Sequence, residues 1–135
     1  MHSQTGFTLI ELMLALAISA IMLAIGYPAY AHYQATAQRN RAEVALMQLS
    51  AELESYFSDN DTYAGATIKL LHANALTQGL DYRLRIAKAT DSHYRIQAIP
   101  TGNQVDRDIN CGTLTLTDTN TRSISGEGSV LQCWM

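Results

Sequence analysis

The feature that most constrains this chain is an apolar run of 25 residues, Phe7 to Ala31, with one charged side chain, Glu11. As a helix it would be about 37 Å long, enough to cross about 30 Å of hydrocarbon with some tilt. Every other Asp, Glu, Lys and Arg lies beyond His32. The 135 residues therefore divide into an apolar leader and a polar remainder with room for one compact domain. A domain of that size could not surround so long an apolar helix on all sides, so the run is not a core helix.

Two placements of the run satisfy the residues. It is a retained membrane anchor, or an export signal cut after Ala31. "AYA", Ala29 to Ala31, has the small-x-small form read by signal peptidase. Against that, "MHSQTGFTLIE" has no Lys or Arg and ends in an acid, the wrong sign for an export signal. The balance favours the anchor. Either way the remainder crosses a membrane, and Cys111 and Cys133 meet an oxidising compartment and are expected to join. Closing a loop of that length is worth about 3 kcal/mol in the chain-entropy model.

From Gln34 to Phe57 the helical pattern continues. Ala42, Leu46, Leu49, Leu53 and Tyr56 recur every three or four residues and form one stripe. Arg39 and Glu43 are read as an i,i+4 pair on the surface. Pro28 lacks an N–H and Gly26 weakens the helix beside it, so a bend or local unwinding is expected between about Ala20 and Pro28. "SDNDTYAG", Ser58 to Gly65, is turn chemistry and ends the helix. Residues 66–79 read as a loop with one helical turn.

Beyond that the period becomes two. Tyr82, Leu84 and Ile86 share one face, with Arg83 and Arg85 on the other. Tyr94, Ile96 and Ala98 alternate likewise with Arg95 and Gln97. A hairpin around "KATDS" matches the two apolar faces if its loop has an odd number of residues, three or five. "CGTLTLTD" and "TRSISG" form a second hairpin around Asp118 to Asn120. The expected fold class is α+β: a long N-terminal helix packed on a four-stranded antiparallel sheet, with a C-terminal disulfide loop.

"GFTLIELMLALAI" resembles the N-terminal signature of type IV prepilins. "GNQVDRDINCGTLTL" and the terminal "CW" are similar to the PilE-like minor pilin subgroup, through Gln104, Asp106, Cys111, Gly112, Leu114, Leu116, Cys133 and Trp134. The resemblance implies a prepilin leader at residues 1–6, a transmembrane and assembly helix at 7–31, and a globular head at 32–135. It implies cleavage by prepilin peptidase between Gly6 and Phe7, with Phe7 N-methylated. Glu11 is the fifth residue after that cut, and Pro28 falls where the family often has a proline. Two departures stand out: the leader has no Lys or Arg, and Ala20 replaces a common helix-loosening glycine.

An ionised carboxylate in lipid costs at least a few kcal/mol. In the family, Glu11 would meet the new ammonium at Phe7, on its own chain or a neighbour's, and set subunit register. The implied partners are other pilin subunits, the peptidase, the assembly platform and the inner membrane. The implied destination is an extracellular pilus serving motility, adhesion or DNA uptake. The alternatives are a type II secretion pseudopilin, and a secreted binding domain released after Ala31.

No nucleophile constellation, HExxH, GxSxG or phosphate loop occurs, so the chain is read as no enzyme, with no cofactor and no metal. Asp106, Asp108 and Asn110 imitate a calcium ladder but lack its glycine spacing and its closing carboxylate, and read as a solvated turn. Net charge is −3, which gives no global pull toward nucleic acid. Locally, Arg83, Arg85, Lys88 and Arg95 form a candidate phosphate-binding stripe.

Overall fold

The computed structural model describes residues 6–134. Its elements are a helix α1 (Leu9–Asn60), a 3-10 turn (Ala73–Thr77), strands β1 (Tyr82–Ala89) and β2 (Tyr94–Pro100), a short helix α2 (Gln104–Arg107), strands β3 (Leu114–Thr117) and β4 (Arg122–Ile124), and a last helical turn α3 (Val130–Cys133). The chain divides into two compact units, Met1–Tyr33 and Gln34–Met135.

In the first unit the apolar run is helical from Leu9, and its side chains are exposed from Phe7 to Tyr30. The helix is long and apolar enough to cross a membrane. Pro28 lies inside it with no break, so of the bend or local unwinding expected between about Ala20 and Pro28 the unwinding is absent. A proline removes one N–H from the ladder, and the bonds on either side hold the backbone helical.

In the second unit the sequence stripe is the core-facing side of α1. Ala42, Leu46, Leu49 and Leu53 are each 0% exposed, and Tyr56 packs at the margin. They meet the inward residues of the sheet: Tyr82, Leu84, Tyr94, Ile96, Ala98, Leu114 and Leu116. Each fully buried leucine contributes about 1.5–3 kcal/mol. The sheet is antiparallel in the order β1-β2-β3-β4, the meander expected from two hairpins in succession. Phe57 and Tyr63 rings lie 4.6 Å apart, and Tyr63 meets Tyr94 edge-on at 4.9 Å, closing the core where α1 ends.

The first hairpin departs from the odd-loop expectation. Leu84 faces Ala98 and Ile86 faces Ile96, as the alternation requires. The register then slips by one between Ile86 and Lys88, so that Ala89 faces Tyr94 and four residues, Thr90 to His93, remain for the turn. A β-bulge absorbs the residue that an odd loop would have used.

Two more expectations fail for one reason. Arg39 and Glu43 are not a surface pair, because both are buried. Asp108 is not part of a solvated turn, because it is buried beside Arg39. Arg39 and Asp108 go inside as each other's counter-charge, 69 residues apart in the chain.

Cys111 and Cys133 are joined, with Cα atoms 5.5 Å apart. The segment they bound is no free loop: it contains β3 and β4, and Leu114 and Leu116 within it are core. Gly126 and Gly128 run against the Asn110 carbonyl, where a Cβ would collide.

Leu49→Ala is expected to destabilise the head by about 2–5 kcal/mol, whereas Leu131→Ala, at a 93% exposed site, should change stability by less than about 0.5 kcal/mol. Thermal unfolding followed by Trp134 fluorescence compares them; equal shifts would contradict the assigned core.

Candidate functional site

Three groups of polar residues stand out. The first opens α1. Gly6, Phe7 and Thr8 precede the helix and are exposed. Thr8 is the N-cap. Its backbone N–H donates to Glu11 Oε2 at 2.8 Å, its hydroxyl donates to the same oxygen at 2.7 Å, and its Oγ1 accepts from the Glu11 N–H at 3.4 Å. This is a capping box, in which the two residues satisfy donors left over at a helix start. The motif, Thr-x-x-Glu, is legible in "TLIE", but the sequence reading assigned Glu11 only to an ammonium partner. Of the expected leader at 1–6, residues 1–5 lie outside the described residues. Pro28 and the Ala29–Ala31 segment both lie inside the helix.

The second group is buried between α1, β1 and α2. Arg39 Nη1 forms an ion pair with Asp108 Oδ1. Tyr82 donates its hydroxyl proton to Asp108 Oδ2 at 3.0 Å. Gln104 Nε2 donates to the Ala35 carbonyl at 2.8 Å and to the Tyr82 oxygen at 3.2 Å. Burial pushes the Tyr82 phenol well above its ordinary value, and the adjacent Asp108 charge adds to the shift. The phenol therefore stays a proton donor. The cluster fixes α2 and the start of the cysteine-bounded segment to the helix. It also uses Asp108, so the Asp106-Asp108-Asn110 ladder does not offer its carboxylates jointly to an ion. Among the described residues no group of three acidic, His or Cys side chains is placed to hold a metal.

The third group is the outer face of the first hairpin. Arg83, Arg85, Lys88 and Arg95 are all exposed, on the side opposite the core. Arg83 faces Ile99, Arg85 faces Gln97, and Lys88 faces Arg95. None of the four has a carboxylate within ion-pair distance among the described residues. The candidate stripe is therefore assembled on one surface, with Arg83, Arg85 and Arg95 placed there by alternation and Lys88 by the bulge. At its end, His93 Nδ1 lies 2.8 Å from Asp118 Oδ2, and the Tyr94 N–H donates to Asp118 Oδ1 at 3.3 Å. The hydrogen bond from His93 holds the Asp118 carboxyl below its ordinary value. Nothing in linear spacing links residue 93 to residue 118.

Both halves of the chain match known proteins. A family model described as "Type IV minor pilin ComP, DNA uptake sequence receptor" matches residues 28–115. A second, a prokaryotic N-terminal methylation motif, matches residues 1–27. A type IV major pilin protein PilA of Myxococcus xanthus is 41% identical over 59 residues, 44% of this chain and 27% of that one. A type IV major pilin protein PilE1 of Neisseria gonorrhoeae is 46% identical over 68 residues, 46% of this chain and 41% of that one. A fimbrial protein of Neisseria meningitidis is 37% identical over 93 residues, 64% of this chain and 55% of that one. The chain thus spans well under two thirds of each of these relatives. In fold it is similar to the non-core minor pilin PilV of Neisseria meningitidis, with a TM-score of 0.55 at 21% identity over 70% of this chain and 89% of that one.

Asp108→Ala leaves Arg39 buried without a counter-charge and should cost about 3–5 kcal/mol. Arg39→Met combined with Asp108→Leu should cost less than either single change. Denaturant melts of Arg39→Met, Asp108→Leu, the double variant and Asp108→Ala decide it, and a double variant as weak as the sum of its two singles would refute the pairing.

Proposed function

The chain belongs to the type IV minor pilin family, a family of pilus structural subunits, and from that premise we propose that it is a DNA-binding subunit of the filament. On this reading it is made as a prepilin in the inner membrane. Prepilin peptidase cuts it between Gly6 and Phe7, Phe7 is N-methylated, and the assembly platform draws it into an extracellular pilus among other pilin subunits. The outer face of its sheet then meets duplex DNA.

The observation that carries the reading is the set of four cations on one solvent face with no carboxylate paired to them among the described residues. The net charge of −3 would repel a polyanion, so any affinity must come from a local surface. Phosphate contacts need cations free to displace counterions, and this face supplies them. The family's description as a DNA uptake sequence receptor is consistent with that use.

Processing and assembly rest on the same premise. Phe7 and Gly6 lie in exposed chain ahead of the helix, where a peptidase can reach them. Release after Ala31 fits poorly, because Ala29–Ala31 is mid-helix and a protease takes its substrate extended. A mature chain begins with an ammonium four residues from Glu11, and that charge is the proposed counter-ion inside the fibre.

Mass spectrometry of the chain from sheared surface fibres should find N-methylated Phe7 at its start, and Glu11→Ala should deplete it from the fibres. An intact leader, or undiminished incorporation, would refute that part. A protein found only in cell envelopes, never in surface fibres, would point to the pseudopilin alternative. For DNA, replacing Arg83, Arg85 and Arg95 by Gln should weaken duplex binding and flatten the dependence of log K on log salt by about 2–3, near 0.9 for each phosphate no longer neutralised. Binding unchanged at low salt would place the site elsewhere.

A further inference from the structure

The bulge in β1 has a consequence for charge. Tyr82, Leu84 and Ile86 face the core, so strict alternation would send Lys88 inward, opposite Tyr94. The register slip leaves Ala87 without a partner. It turns Lys88 out to solvent and places Ala89 opposite Tyr94 instead. Keeping a lysine out of the core explains the bulge but not the residue that Lys88 then meets. Its cross-strand neighbour is Arg95, and the next residue in the same row is Thr117 on β3. Cβ atoms of directly opposed residues lie about 4.5–5.5 Å apart, and like charges in that relation repel.

The nearby acids do not relieve the repulsion. Asp118 is held by His93 and by the Tyr94 N–H. Asp91 accepts from the Thr62 hydroxyl at 3.1 Å. Neither forms an ion pair with Lys88 or Arg95. Bulges are over-represented next to active sites, where they re-aim a side chain.

Resting on the DNA-binding reading above, we infer that the bulge builds a phosphate clamp: Lys88 and Arg95, held opposite one another, take one phosphodiester between them. The anion supplies the missing negative charge. Arg83 and Arg85 add phosphate contacts along the strand, but they face Ile99 and Gln97 and carry no such repulsion. The clamp therefore trades stability of the free head for affinity, and the other two cations do not.

That trade is the signature to measure, on the full chain in detergent micelles with a short fluorescent duplex of mixed sequence. Lys88→Gln should raise the Tm of the free protein by about 1–5 °C, because it removes a like-charge contact. It should also lower duplex affinity about fivefold or more at low salt and reduce the salt slope by about one. Lys88→Glu should raise the Tm at least as much and weaken binding further, whereas Lys88→Arg should keep both properties of the parent. Arg83→Gln should lower affinity without raising the Tm. Added duplex should raise the Tm of the parent more than that of Lys88→Gln.

If Lys88→Gln and Lys88→Glu leave the Tm unchanged or lower it, the clamp is wrong, even where the triple arginine variant loses binding and the DNA reading stands. If the parent binds no duplex at any salt, the DNA reading itself falls. If Lys88→Arg loses affinity as Lys88→Gln does, charge is not what Lys88 supplies, and the clamp falls as well.

Discussion

The head depends on one fit: a helical stripe with a period near 3.6 laid against a sheet face with a period of two. Ala42, Leu46, Leu49 and Leu53 supply the stripe, and Leu84, Ile96, Ala98 and Leu114 supply the face. Because strand residues alternate, fixing the inward set also fixes the outward set. Arg83, Arg85 and Arg95 are displayed as a direct result of burying their neighbours. The surface that we assign to DNA is thus the reverse side of the core, and a register slip would bury the cations and expose the leucines together.

The segment from Pro100 to Gly112, unlike the strands on either side of it, is attached to this core by ties that do not rely on area. α2 is a single turn, and the segment from Pro100 to Gly112 has few apolar anchors; Val105 and Ile109 both face solvent. Asp108 and Gln104 reach from it to Arg39, Tyr82 and the Ala35 carbonyl. The Cys111–Cys133 bond then fastens the last helical turn, and Trp134 donates its indole N–H to the Ser123 carbonyl at 3.2 Å. These ties fix where the segment sits against α1 and β1. Here they hold β3 and β4 in place beside the hairpin that carries the cations.

Legibility in the sequence followed range. The helix stripe, the strand faces, both hairpins and the cysteine pair were readable because each rests on a local period or on only two candidates. The outward arginines were readable for the same reason. What was hidden depends on contacts between residues far apart. Arg39 has an acid four residues away, at Glu43, so an i,i+4 surface pair was the economical reading; its true partner is Asp108, 69 residues along. His93 and Asp118 meet only because two hairpin turns lie side by side. The bulge was hidden for another reason. An odd loop and an even loop with a bulge bury the same residues as far as Ile86 and part only at Lys88 and Ala89, where the backbone decides which one faces Tyr94. The capping box was visible in "TLIE" and was passed over, because the expected ammonium partner already accounted for the acid.

That last point bears on how a membrane helix tolerates Glu11. A helix start has backbone N–H groups without partners, and in lipid each one is costly. A carboxylate in lipid is costly too. Thr8 and Glu11 place the two liabilities against each other, so a single chain needs no second molecule to carry the acid. The proposed cut changes the balance. It puts an ammonium one residue before Thr8, and a charge-assisted bond to an ammonium is stronger than one to a neutral hydroxyl or amide. Away from water the carboxylate would then exchange a neutral donor for a charged one. The capping box would thus hold the acid in the precursor and release it to the ammonium in the fibre. That is a reason for Glu11 to sit one helical turn from the cut and not deeper in the apolar run.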